Sequence, residues 1–172
     1  MLTYQKVRIQ KDMMKETSLN DKLPSFSLEA TGINTCRESN LLGKWAVLFI
    51  YPKDNTSGCT REAREFNQRY SEFESAGIRI FGISKDSLAS HTSFSKKLNL
   101  QFPLISDPQT QLIQSLNAWK EKSMYGKKYM GAERSTFLID KNLTVRYIWR
   151  KVKVEGHVDE VFDKFKELIS DL

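Results

Sequence analysis

The stretch that most constrains this chain is residues 45–59, W-A-V-L-F-I-Y-P-K-D-N-T-S-G-C. Its first half is an unbroken apolar run rich in aromatic and β-branched residues, which predicts a strand buried on both faces. Pro52 ends that strand, because proline has no N–H to give to a sheet ladder. Asp54, Asn55, Ser57 and Gly58 supply a polar turn. Cys59 follows, and a helical pattern begins after it. A cysteine at such a junction meets the free N–H groups and partial positive charge of a helix N-terminus. Those conditions favour the thiolate, so Cys59 is read as a nucleophile.

The chain of 172 residues suits one domain with a sizeable core. Its 40% hydrophobic and 28% charged residues are those of an ordinary globular protein. The longest apolar run is too short to span a membrane. Residues 1–20 have no secretory core and make a poor transit peptide, since Asp12 and Glu16 accompany a lone Arg8. The expected compartment is the cytoplasm, with no membrane partner. The net charge of +6 is interleaved with acids and has no nucleic-acid motif beside it, so it is assigned to solubility. Cys36 and Cys59 form no C-x-x-C, and with His91 and His157 they show no zinc spacing.

Taken in order, residues 1–20 read as an N-terminal extension without clear period. Residues 24–30 and 33–37 read as a hairpin around Thr31-Gly32, with Cys36 on its second strand. A helical turn at residues 39–43 leads into the strand at 45–51. Ala63, Phe66, Tyr70 and Phe73 then recur on one helical face that Gly77 ends. A strand at 78–83 precedes a helix capped by Asp86 or Ser87. A short strand at 102–105 precedes a helix expected to start from Asp107-Pro108. Residues 119–131 have no period and read as a long surface loop. Residues 135–139 and 144–149 form a second hairpin. Val158, Val161, Phe162, Phe165, Leu168, Ile169 and Leu172 mark a terminal amphipathic helix. Alternating strands and helices followed by adjacent strands predict an α/β protein with a mixed central sheet flanked by helices.

The pattern P-x-x-x-T-x-x-C, here Pro52, Thr56 and Cys59, resembles the active-site signature of peroxiredoxins. Y-P-K-D-N-T-S-G-C-T-R-E-A around it resembles the bacterioferritin comigratory protein, or peroxiredoxin Q, branch. So do G-I-S-K-D-S (82–87), F-P-L-I-S-D (102–107) and G-K-K-Y-M-G-A-E-R-S-T-F-L-I-D (126–140). The resemblance runs from about Leu23 to the C-terminus. It implies a thioredoxin-like fold over residues 21–172 with an N-terminal β-hairpin, and a thiol-dependent peroxidase for hydrogen peroxide and organic hydroperoxides. It implies Cys59 as peroxidatic cysteine, Thr56 and Arg134 as its activators and Pro52 as its shield. It implies no metal and no organic cofactor, a monomer, and electrons from thioredoxin or another thiol.

These roles agree with the chemistry. Arginine keeps its proton and offers several donors in a fixed fork. The threonine hydroxyl both donates and accepts. Fixed donors aimed at developing oxygen charge lower the barrier. Threonine at position 56, where thioredoxin-like dithiol enzymes put a first cysteine, excludes a local dithiol. One feature departs from the branch: many members carry a resolving cysteine five residues after the first, and here that position is Arg64. A sulfenic acid at Cys59 must still be reduced before it overoxidises. An external thiol is the expected route, and Cys36 is the alternative resolver. A competing class is a redox sensor or stress holdase that uses Cys59 oxidation as a switch. His91 reads as a packing or surface residue and His157 as solvated. Trp119 and Tyr125 read as packing or a partner surface, and Lys120, Lys122, Lys127 and Lys128 as a solvated flank able to steer anions.

Overall fold

A computed structural model describes residues 16–172. The predicted extension falls mostly on residues 1–15, outside the described residues. Its last part is docked: the Thr17 amide donates to the Ser115 carbonyl (2.8 Å) and the Asn20 amide to the Val145 carbonyl (2.8 Å).

The strands are β1 (Ser27–Ala30), β2 (Asn34–Arg37), β3 (Trp45–Ile50), β4 (Ile78–Ser84), β5 (Leu104–Ser106), β6 (Trp119–Met124), β7 (Lys127–Ala132), β8 (Ser135–Ile139) and β9 (Val145–Trp149). The α-helices are α1 (Ser57–Gln68), α2 (Tyr70–Ser75), α3 (Leu88–Leu98), α4 (Gln111–Ser115) and α5 (His157–Ser170), and a 3-10 turn spans Glu38–Leu41. Among the described residues, seven strands form one mixed sheet in the order β2-β1-β5-β4-β3-β8-β9. This is the thioredoxin-like arrangement, with β1–β2 as its N-terminal hairpin.

β3 lies inside the sheet, parallel to β4 and antiparallel to β8. Its side chains alternate between the two cores. Trp45, Val47 and Phe49, with Tyr51, join the core of α1, α2, α3 and α5. Ala46, Leu48 and Ile50 join the core under β1, β2 and α4. Burial of both faces explains the unbroken apolar run. α1 is seated by Phe66, which stacks on Phe49 at 4.6 Å between ring centroids. Gly82 on β4 makes room for this: a Cβ there would lie 2.9 Å from Phe49 and 2.7 Å from Leu104.

Several expectations are corrected. The expected surface loop at 119–131 is the hairpin β6–β7, closed by Tyr125 and Gly126 at φ 51° and 77°. Two consecutive positive φ values make this a tight turn matched to strand twist. The hairpin forms a separate two-stranded sheet, largely exposed, so its strands carry no alternation of polarity to read. The helix after Cys59 breaks at Arg69 into α1 and α2. α4 begins at Gln111, three residues later than expected from Pro108. Asp107 still caps it from a distance, its carboxylate accepting from the Gln111 (3.1 Å) and Ile113 (2.9 Å) amides. No described helix is long and apolar enough to cross a membrane.

His157, expected in solvent, opens α5 facing inward and is 2% exposed. It lies edge-on to Phe66 and Trp149, with its Nε2 2.7 Å from Thr136 Oγ1. Burial, and secondarily the Arg134 charge, lower its pKa from 6.5 to about 4. The unfolded chain therefore takes the proton first. Stability from this group is full above 6.5 and is lost as pH falls toward about 4. We expect the gap in unfolding free energy between wild type and His157→Gln to narrow by about 3 kcal/mol between neutral pH and that lower value. Urea melts across pH check this. A gap independent of pH would mean that folding leaves His157 protonation unperturbed.

Candidate active site

The site forms where β3 ends. The Tyr51 amide makes a last ladder bond to the Ile83 carbonyl (3.1 Å), and half-buried Pro52 cannot extend it. The chain turns through Asn55 at φ 63°, and Thr56, extended, stands at the N-cap of α1. Cys59 is the third residue of that helix. Its amide is among those without an intrahelical acceptor, so its thiol sits in the positive field of the helix start. The residue is 1% exposed.

Arg134 reaches this point from the far side of the sequence because β8 pairs antiparallel with β3. That register sets Ser135 opposite Ile50, so the residue before Ser135 lies beside the Pro52 turn. Arg134 Nη2 lies 3.4 Å from Cys59 Sγ, and Nη1 donates to Glu62 Oε1 at 2.9 Å. The absence of a side chain at Gly58 admits the guanidinium, since a Cβ there would come within 3.1 Å of Nη2. Burial opposes the charge of Arg134, but the Glu62 and Cys59 partners outweigh it and hold the proton more firmly.

Glu62 is a residue that reading the sequence missed. It is fully buried one turn after Cys59, and its Oε2 has no hydrogen-bond partner among the described residues. Burial pushes its carboxyl up to about 7, against the Arg134 charge and hydrogen bond, which pull it down. The signal was present, because Glu62 lies among the inward positions Cys59, Ala63 and Phe66 of α1. An acid on an apolar helix face requires a cationic partner.

The other expected residues fall as follows. Thr56 is exposed and its hydroxyl donates to the Lys53 carbonyl at 2.9 Å. Lys122, on β6, is close enough to Arg134 and Cys59 to feel both charges; burial and then Arg134 lower its pKa. Arg64 is exposed on α1. Cys36 is buried in the core on the opposite face of the sheet from Cys59. Between its strand and β3 stand β1, β5 and β4. Four interstrand steps amount to about 19 Å, whereas a disulfide needs Cα atoms within about 7 Å. Burial raises the Cys36 thiol to about 11. The structure therefore does not bring Cys36 to the site.

Asp54, Asp86 and His91 offer ligand atoms within 4.8 Å of one another. Hydrogen bonds from Tyr51, Ser84, Ser90 and the Asp54 amide already occupy these carboxylates. The cluster reads as a polar network. His91, expected at a packing or surface position, is fully buried in it.

The AhpC/TSA family model matches residues 19–148. Peroxiredoxin Bcp of Xanthomonas campestris is 48% identical over 124 residues, covering 72% of this chain and 78% of that protein. Peroxiredoxin Bcp of Bacillus subtilis is 41% identical over 150 residues, covering 87% and 96%. A Xylella fastidiosa PrxQ structure superposes with a TM-score of 0.85 at 38% identity, covering 90% of this chain and 99% of that one. A structure of the Xanthomonas campestris bacterioferritin comigratory protein, studied for alkyl peroxide reduction, gives 0.79 at 43% identity, covering 83% and 90%. With a cysteine at a helix start under an arginine in this fold, the chain belongs to the AhpC/TSA family, as a peroxiredoxin of the bacterioferritin comigratory protein (peroxiredoxin Q) type, and is a thiol-dependent peroxidase.

Proposed function

We propose that Cys59 is the peroxidatic nucleophile, with Arg134, Thr56 and Pro52 completing its site. The observation that carries this is the 3.4 Å approach of Arg134 Nη2 to the Cys59 sulfur at a helix N-terminus. The thiolate attacks the terminal oxygen of a hydroperoxide. An S–O bond forms, the O–O bond breaks, and the electron pair leaves on the other oxygen, which water then protonates. Sulfur is oxidised by two electrons and the peroxide is reduced to an alcohol or water. The guanidinium stabilises both the thiolate and the oxygen charge that grows in the transition state. The Thr56 hydroxyl spends its proton on the Lys53 carbonyl, which leaves its lone pairs to accept the O–H of an incoming hydroperoxide. Pro52, half-buried at the end of β3, is assigned the role of shield and presents no N–H.

Regeneration is assigned to an external thiol, a thioredoxin-type protein being the expected donor. Opposite-face placement and the raised pKa of Cys36 support this one-cysteine route. The donor sulfur displaces hydroxide, lost as water, to give a mixed disulfide that a second thiol reduces. Glu62 positions Arg134 by holding Nη1, leaving Nη2 for the reacting atoms.

Steady-state turnover with peroxide and thioredoxin or dithiothreitol tests the site. Arg134→Lys should lose about a hundredfold in kcat/KM for hydrogen peroxide, and a variant as active as wild type would remove Arg134 from the mechanism. Cys59→Ser should be inactive. If peroxide consumption stays at the uncatalysed level while Cys59 oxidises, Cys59 is a sensor thiol instead.

Intact mass after one equivalent of peroxide tests the resolving route. A gain of one oxygen is expected, and Cys36→Ser should keep full turnover. A loss of two hydrogens would establish Cys36–Cys59 pairing.

Glu62→Gln tests the burial of its charge. The folded carboxyl holds its proton up to about 7, and the unfolded one only to 4.5. Wild type therefore loses stability as pH rises between these values, and the glutamine variant does not. Relative to wild type, Glu62→Gln should gain stability over that window in urea melts. A constant difference would show that Arg134 fully compensates the buried charge.

A further inference from the structure

We infer that a buried His91–Asp54 pair is the positioning device for the loop that carries Cys59, with His91 acting through Asp54. The inference rests on the reading of Cys59 as nucleophile.

Asp54 lies between Pro52 and Cys59 and is 4% exposed, unusual for a loop aspartate beside a reactive centre. Its carboxylate accepts from Tyr51 Oη (2.6 Å), His91 Nδ1 (2.7 Å) and Ser90 Oγ (2.8 Å). Its amide donates to Asp86 Oδ2 at 2.9 Å, and that oxygen also accepts from Ser84 Oγ at 2.5 Å. One loop residue is thereby tied to the end of β3, to α3 and to the segment after β4. Burial raises the Asp54 carboxyl, but the hydrogen bonds from His91 and Tyr51 and the His91 charge bring it below its usual value.

His91 extends the tie to a further strand. Its Nε2 lies 3.0 Å from the Ile105 carbonyl on β5. An acceptor therefore stands at each ring nitrogen. Tyr51 Oη, 3.3 Å from Nδ1, is the more distant neighbour there, and its proton is directed to Asp54 Oδ1. The groups that face the ring are Tyr51 from just after β3, Asp54 and Asp86 from the two loops, and the Ile105 carbonyl from β5.

The consequence falls on Cys59. Its helix begins three residues after Asp54, and its reactivity requires the sulfur to stay under Arg134 and at the helix start. Misplacement by about 1 Å can cost a hundredfold in rate. His91 is not placed at the reacting atoms, so this is a positioning role and not a catalytic one.

The test compares His91→Gln, Asp54→Asn and their double variant with Leu112→Ala, a core truncation on the opposite face of the sheet. Three readouts are taken: the second-order rate of reduced enzyme with hydrogen peroxide, the pH midpoint of Cys59 alkylation by iodoacetamide, and thermal stability. Each pair variant should lower the peroxide rate by about tenfold or more and move the alkylation midpoint to higher pH. The double variant should fall no further than the worse single one, because both act through one contact. Leu112→Ala should lose stability yet keep rate and midpoint. Ser90→Ala, which strips one donor from Asp54 without touching the ring, should lower the rate by about threefold and move the midpoint in the same direction as the pair variants. It decides the matter if His91→Gln does not fold. The inference is overturned if His91→Gln or Ser90→Ala leaves both readouts at wild-type values, or if Leu112→Ala moves them as far. Cys59→Ser is assayed alongside. Activity in it overturns the nucleophile assignment, whereas an inactive Cys59→Ser beside an unaffected His91→Gln overturns only the pair's role.

Discussion

The contact on which the site depends is the bridge that Arg134 makes between Glu62 and Cys59. It joins two segments more than seventy residues apart. A guanidinium alone beside a sulfur would have many orientations. Here Nη1 is taken by a carboxylate fixed on the same helix as the cysteine, so Nη2 has one direction left. The arrangement has a cost, because Glu62 is fully buried and one of its oxygens has no partner among the described residues. Breaking such a pair from one side leaves an uncompensated charge in the core. The Arg134 guanidinium is therefore as much a requirement of the fold as of the site.

That bridge in turn depends on strand pairing. Arg134 arrives where it does only because β8 runs antiparallel to β3 with Ile50 opposite Ser135. The register is strongly specified, since β3 is buried on both faces and a one-residue slip would exchange its two sets of side chains. On the other flank of β3, the parallel partner β4 ends at Ser84, next to Asp86, which holds the Asp54 amide. The central strand thus locates the arginine through one neighbour and the loop anchor through the other. The apolar run is the positional reference for both halves of the site.

Local signals were the legible ones. The apolar run, Pro52, and a cysteine at the start of a helical period each have a consequence within a few residues, and they predicted β3 and α1. Arg134 was reached through resemblance of its surrounding block, since spacing alone could not relate it to Cys59. Glu62 and His91 were missed for a shared reason. Each is a polar residue on an inward helix face whose partner comes from a distant segment, and sequence spacing carries no record of that pairing. His157 was misread because its position at the start of α5 suggested exposure, while the helix turns that end toward Phe66 and Trp149. The β6–β7 hairpin was missed because its strands have little burial to impose a period. Even so, Tyr125-Gly126 was a two-residue turn in plain view.

On the proposed reading of Cys59 as nucleophile, its regeneration is constrained by the same geometry. The sulfur is enclosed and Arg64 offers no thiol, while Cys36 is on the far side of a closely packed sheet. A protein thiol cannot reach the sulfur of a residue that is 1% exposed. On that reading the start of α1 opens at some stage of the cycle. What resists that opening is the set of hydrogen bonds on Asp54 and the bridge from Arg134, and both depend on charge. In the proposed chemistry oxidation alters one end of this system, because a neutral sulfenic acid attracts Nη2 less than a thiolate does. The step that completes the chemistry thus weakens the contact that made the chemistry possible, which favours exposure of the oxidised sulfur over the reduced one. A site held by charge on the nucleophile itself needs no separate trigger for release.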